Sequence, residues 1–215
     1  MTDNESLESA LKPAVEALGA EINGNVPKPL YDFLRRYGPM ACVDVALVPE
    51  GKTPSILLAK RGMSAVAPGA YYLIGGRIDK SVDVLGTIRK KIRSEIGIDA
   101  GISWKDLIGL SMQSWLPDQA EIPVRDYSSA VIAPCFAIRA SQEQIQKASA
   151  GDGHTDWKVF TGIDPNWHAH VRLAAAYAWD RFYGRNWREN ASPEVRDALA
   201  ESPVLIPLRY EGQEK

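Results

Sequence analysis

The stretch from Ala70 to Gly97 constrains the fold of this 215-residue chain more than any other. A short apolar and aromatic run, Ala70 to Ile74, leads into Gly75-Gly76-Arg77 and a polar turn, and a helical pattern then fills Ser81 to Ile96. Leu85, Ile88, Ile92 and Ile96 recur every three or four residues, so they share one helix face that must be buried. Ser81 is the expected N-cap and Gly97 the expected stop. A strand followed by such a helix requires a sheet with a helical layer on it. Two glycines at a strand end let backbone approach a ligand closely, and the helix N-terminus beyond them favours anions. Arg77 adds a bidentate phosphate donor beside the turn. Glu95 is the only carboxylate on the last two helical turns, and Mg²⁺ commonly takes one or two carboxylates together with substrate phosphates. A plainer reading fits the same residues. The glycines then make a tight strand-to-helix turn, Glu95 is a solvated charge, and Arg61 and Arg77 pair with Asp44 or Glu95.

Around this segment the chain is rich in strand patterns. Met40 to Val48 is a strong strand, Pro49-Glu50-Gly51 a turn, and Ser55 to Arg61 the hairpin partner. Met63 to Gly69 reads as a loop of small residues. Leu107 to Trp115 and Ser129 to Ile138 are further strands, separated by a polar loop from Pro117 to Tyr127. Ser141 to Ala150 is a short helical candidate, Trp157 to Phe160 a short strand, and Trp167 to Tyr183 a helix ending at Gly184. Short helices are also expected over Glu5 to Leu18, Leu30 to Tyr37 and Pro193 to Ala200. The order predicts an α+β domain, an α/β/α sandwich around a mixed sheet, and not a doubly wound repeat. Residues 1–38 form an N-terminal helical extension in this reading, 39–184 the domain, and 185–215 a C-terminal extension.

Composition narrows the function by exclusion. Two cysteines, both in apolar runs, supply neither a disulfide framework nor a cysteine metal site, and they suit a reducing compartment. No apolar run reaches the roughly 18 residues of a membrane span, and the polar, acidic N-terminus is unlike a secretory signal. The expectation is a cytoplasmic protein without a membrane partner. With 25 basic against 27 acidic residues, the chain lacks the surplus that general nucleic-acid binding needs. A local cluster of cations for a small anionic ligand is still compatible with that balance. Of the remaining polar residues, His168 and His170 sit at a helix start where packing or capping explains them. Trp115, ahead of the polar loop, is a candidate for stacking on a base or sugar.

The pattern from Gly76 to Gly97 resembles the signature of the Nudix hydrolases. Gly76 falls on its first glycine, Glu95 on its last glutamate and Gly97 on its final glycine. The family's helix arginine is Lys90 here, its first metal glutamate is Lys91, its second is Ser94, and its loop glutamate is Val82. A similar departure occurs in the GDP-mannose mannosyl hydrolase branch, which keeps Gly-Gly-Arg and only the last glutamate. Met40 to Val48, with Asp44, is similar to that branch's first strand and its buried aspartate. Leu57-Leu58-Ala59-Lys60-Arg61 resembles its Leu-Leu-Gly-Lys-Arg, and Gly153-His154-Thr155-Asp156-Trp157 resembles its catalytic loop. The resemblance extends over roughly Pro39 to Tyr183.

That resemblance implies a Mg²⁺-dependent hydrolase of a nucleoside-diphosphate sugar or a related nucleoside diphosphate derivative. It implies that Gly75, through its carbonyl, and Glu95 hold the metal. Arg61 and Arg77 would neutralise the leaving diphosphate, and His154 would be the general base. Asp44 and Lys90 would join Arg61 and Arg77 in binding substrate, and a homodimer is the implied assembly. The glutamine that precedes the catalytic histidine in that branch, where it binds metal, is Gly153 here. An alternative on the same fold is a domain that binds a nucleotide or nucleotide sugar without turning it over, as a sensor or interaction module. A third is a structural or assembly role with the pocket lost.

Overall fold

In the computed structural model of the chain, residues 40–63, 68–79, 82–99, 101–115, 131–200 and 206–207 are described. The N-terminal helices expected over residues 5–37, the loop over 117–127 and most of the tail beyond residue 200 lie outside them. The described elements are β1 (Met40–Pro49), β2 (Ile56–Arg61), β3 (Tyr71–Tyr72), β4 (Ile74–Arg77), α1 (Val84–Ile96), β5 (Ile108–Trp115), β6 (Val131–Ala140), α2 (Gln142–Gln146), β7 (His154–Phe160), α3 (Ala169–Tyr183), α4 (Pro193–Ala200) and β8 (Ile206–Pro207). No described helix is long and apolar enough to cross a membrane.

The strands form one mixed sheet. β1 runs parallel to β6, from Met40↔Val131 to Pro49↔Ala140, and every other pairing is antiparallel. β1 and β2 begin as a hairpin at Leu47↔Leu57 and then part. The segment from Tyr71 to Arg77 occupies the gap between them. Its first half, β3, pairs with β2 (Ala59↔Tyr72), and its second half, β4, pairs with β1 (Val45↔Ile74 to Cys42↔Arg77). β7 closes the other edge of β2, from Ile56↔Phe160 to Arg61↔His154.

Alternation along β1 divides the core into two layers. Val43, Val45 and Leu47 face α1 with Leu57, Ala59 and Ile74, whereas Ala46 and Val48 face α3 with Ile56, Leu58 and Ala137. The α1 face expected from the sequence is the buried one. Ile88, Ile92 and Ile96 are fully buried, and each contributes about 1.5–3 kcal/mol of transfer free energy. On the other side α3 presents Ala174, Ala175, Ala176 and Ala178, which let it lie close to the sheet, and Trp179 donates its indole N–H to Ser55 O at 2.9 Å. Trp187 and Val195, beyond Gly184, pack into this same layer, so residues 185–200 share the core of the domain. The architecture is the α/β/α sandwich expected from the element order.

Several local expectations are corrected. The α1 cap is Asp83 rather than Ser81, because the Asp83 carboxylate accepts the Gly86 N–H at 2.6 Å. Gly75 and Gly76 lie inside β4, paired with Asp44 and Val43, and not in a turn. β7 begins at His154 rather than Trp157, and α3 begins at Ala169 rather than Trp167, because the His168 ring accepts the His170 N–H and ends the helix there.

Candidate functional site

Gly75 is fixed by close approach. A Cβ at this position would lie 2.3 Å from both Val43 O and Asp44 Oδ1, so only glycine permits the β1–β4 pairing. The Gly75 amide N–H donates to Glu95 Oε2 at 3.2 Å, tying the strand to the last turn of α1. Glu95 is 3 % exposed, and its other oxygen lies 3.3 Å from Lys91 Nζ one turn earlier. Burial pushes the Glu95 carboxyl up to about 7, against the opposing pull of Lys91, the Gly75 amide and Arg61.

The C-terminus of α1 also places the histidine. Gly97 ends the helix in the left-handed region (φ 69°), and the loop that follows α2 latches onto the exposed carbonyls. Ser149, Gly151 and Asp152 donate their amides to Ile96, Glu95 and Ser94, at 2.9, 2.8 and 2.9 Å. These bonds supply partners that a helix end otherwise lacks. His154 leaves this latch directly as the first residue of β7, with Nε2 3.9 Å from Glu95 Oε2. Its Nδ1 lies 2.9 Å from Asp152 O. A carbonyl can only accept, so Nδ1 carries the proton and Nε2 presents a lone pair. Burial, followed by the charges of Arg61 and Lys91, holds the His154 pKa below its usual value, although the Asp152 bond works the other way.

Arg61 stands opposite His154 where β2 meets β7, at an irregularity in the register. Its guanidinium lies over the Tyr72 ring, 4.0 Å from the centroid. Tyr72 in turn packs against the rings of His168 and His170. His170 Nε2 is 3.0 Å from Asp44 Oδ2, and both residues are buried. Asp44, expected as a substrate contact, is thus held by a histidine from α3. Arg77 is exposed at the end of β4, beside Cys42 on β1. The Cys42 thiol is pushed up to about 11 by burial and by Asp44, while Arg77, Lys91 and Arg61 all act to lower it. Lys90, by contrast, reaches Asp79 at 2.7 Å, ahead of the helix. A separate cleft of about 550 Å³, lined by Trp179, Trp187 and Tyr183, lies at the opposite end of β7 and holds none of these groups.

Comparison with protein-family models and with curated proteins finds no match. Solved structures do match. A MutT/nudix family protein from Enterococcus faecalis superimposes with a TM-score of 0.50 at 13 % identity, covering 93 % of each chain. The chain has the Nudix fold. Two lower-scoring likenesses are a MutT Nudix hydrolase from Burkholderia pseudomallei (TM-score 0.49, 20 % identity, 64 % of this chain and 95 % of that one) and a bifunctional NMN adenylyltransferase/ADP-ribose pyrophosphatase from Francisella tularensis. The latter was solved with AMP and a manganese ion (TM-score 0.45, 15 % identity, 62 % of this chain and 37 % of that one).

On this Nudix fold the described residues do not form a divalent-cation site. Among the described residues no three His, Cys, Asp or Glu side chains converge on a common point. The single carboxylate, Glu95, already has one oxygen on the Gly75 amide and the other beside the Lys91 ammonium. An ammonium at that distance repels a cation. Sequence reasoning brought Glu95, Gly75, Arg61 and His154 into one site. It missed the Lys91–Glu95 contact, although their four-residue spacing was readable. It also missed the Asp44–His170 bond, which spans 126 positions and left no local signal.

Proposed function

We propose that this chain hydrolyses a nucleoside-diphosphate sugar or a related nucleoside diphosphate derivative, with His154 as the general base. The observation that carries the reading is the convergence of a neutral, correctly tautomerised histidine with Arg61, Lys91 and the buried Glu95. In this reading Arg61 and Arg77 hold the diphosphate, whose charge grows as it leaves. Nε2 of His154 takes a proton from water while the water oxygen bonds to the sugar carbon. The bond from that carbon to the diphosphate oxygen breaks, and the products are free sugar and nucleoside diphosphate. Asp44 and His170 act as positioning residues, because they fix the strand under Gly75 and the Tyr72 ring under Arg61. No step is assigned to Mg²⁺, for which the described donor set is inadequate.

A second reading is favoured by the ion pair itself. With Lys91 on Glu95 the site has the charge of a phosphate-binding pocket, which suits a module that binds a nucleotide derivative without turnover. One experiment separates the two. The protein is incubated with a panel of nucleotide sugars, and released sugar and nucleoside diphosphate are quantified by chromatography. The hydrolase reading expects turnover that falls by about 100-fold or more in H154A, the usual range for loss of a general base. Absence of turnover across the panel, or turnover indifferent to H154A and E95Q, sinks it in favour of the binding module.

A further inference from the structure

We propose that Lys91 takes the place of a divalent cation in this site, so that a diphosphate binds in the absence of metal. The inference rests on the ligand class assigned above but not on catalysis.

Three positions define the arrangement. Lys91 Nζ lies 3.3 Å from Glu95 Oε1. It also lies 3.3 Å from where a Cβ on Gly76 would stand, so the ammonium is set directly over the glycine backbone of β4. Gly76 has φ 143°, a conformation that side chains rarely adopt, and any side chain there would crowd the lysine. The ammonium of Lys91 is anchored by Glu95, and the Lys91 side chain is 34 % exposed.

Charge bookkeeping agrees with the geometry. Arg61, opposite His154 where β2 pairs with β7, and Lys91, on Glu95, are joined through the 3.9 Å approach of His154 to Glu95, and Glu95 is the one carboxylate among the described residues in contact with Lys91. A diphosphate entering this space meets two cations, Arg61 and Lys91, and replaces the water on them. A divalent cation meets the same two charges and one carboxylate whose oxygens are both engaged. A lysine supplies one positive charge and three donors without imposing the octahedral shell that Mg²⁺ demands, so selection here follows charge and not coordination geometry. Glu95 then anchors Lys91, much as a carboxylate anchors a phosphate-binding lysine by neutralising it between ligands.

The test uses calorimetric titration of the full chain with GDP-mannose, ADP-ribose and inorganic pyrophosphate, in EDTA and in millimolar MgCl₂. At least one of these is expected to bind in EDTA with a Kd within about 3-fold of its value in Mg²⁺. K91M is expected to weaken that binding by about 10-fold or more, with K91R retaining most of it. K91E adds a second carboxylate one turn before Glu95 and is expected to make binding depend on Mg²⁺. Mn²⁺ alone, followed by electron paramagnetic resonance, gives a readout without any nucleotide. The wild type should leave the ion free, and K91E should bind it. Thermal unfolding of each variant confirms that it is folded. Binding seen only with Mg²⁺, or undiminished in folded K91M, overturns the replacement while leaving the ligand class intact. No binding of any probe in either buffer overturns the ligand class, and this inference with it.

Discussion

Replacing Glu95 by glutamine should make the protein more stable at alkaline pH, the reverse of what a salt-bridged carboxylate usually gives. Burial raises the Glu95 carboxyl from an ordinary 4.5 to about 7. The folded state therefore holds a proton more tightly than the unfolded chain does. Its contribution to stability is complete below pH 4.5 and is lost as pH rises through about 7. At about 1.4 kcal/mol for each pH unit of that interval, ionising Glu95 costs the fold about 3 kcal/mol. Glutamine removes the charge and keeps an oxygen for the Gly75 N–H, now 3.2 Å from the carboxylate. Lys91 loses its partner, but its side chain is a third exposed and water takes over, at a cost of about 1 kcal/mol or less. The net expectation is a gain of about 1–3 kcal/mol at pH 8 and close to none at pH 5. Urea unfolding of wild type and E95Q at both pH values, followed by tryptophan fluorescence, isolates the term because other titrating groups cancel. By thermal melting the pH 8 gain should be roughly 3–10 °C for a domain of this size. An E95Q variant about 1 kcal/mol or more less stable than wild type at pH 8, with no better relative standing than at pH 5, would falsify the reasoning. The Lys91 pair and the Gly75 amide would then outweigh burial.

Other perturbations test the frame around the site. Gly75→Ala cannot be accommodated 2.3 Å from two oxygens of β1, so the strand must move; a loss above about 3 kcal/mol, or failure to accumulate as folded protein, should appear in chemical denaturation. His170→Ala strands the buried Asp44 carboxylate, with an expected loss of about 3–5 kcal/mol, and the double variant H170A/D44N should recover part of it in the same assay. Asp83→Ala removes the α1 cap and should lower stability by about 1 kcal/mol without changing nucleotide affinity, since Asp83 lies at the far end of the helix from Glu95.

How much was legible in the sequence follows the range of the interactions. The α1 face was readable because Leu85, Ile88, Ile92 and Ile96 carry their period within one helix, and all four are buried. The sandwich followed from element order. The cap was misplaced by two residues because Ser81 and Asp83 are both competent acceptors, and only geometry chooses between them. The Gly75–Gly76 pair looked like a turn because glycine permits both a turn and a close approach. What distinguishes them is the proximity of Val43 and Asp44, more than thirty positions earlier. His154 was singled out by its neighbours, yet its nearness to Glu95 depends on the latch by Ser149, Gly151 and Asp152, which are main-chain bonds that no side-chain pattern announces. His170 was assigned to packing or capping, and a pairing with a carboxylate on a distant strand is invisible to local periodicity.

The parting of β1 and β2 beyond Leu47↔Leu57 has a mechanical consequence. Arg61 and His154 ride on the arm made by β2 and β7, whereas Glu95 and Lys91 ride on the helix packed against β1. The two halves of the site thus belong to two limbs of a fork, spanned at its open end by the short segment from Tyr71 to Arg77. A diphosphate held, as proposed, by Arg61 on one limb and Lys91 on the other is a cross-tie. Its binding energy is spent partly on stiffening the sheet, and amide protons of β3 and β4 should register that stiffening as slower hydrogen exchange.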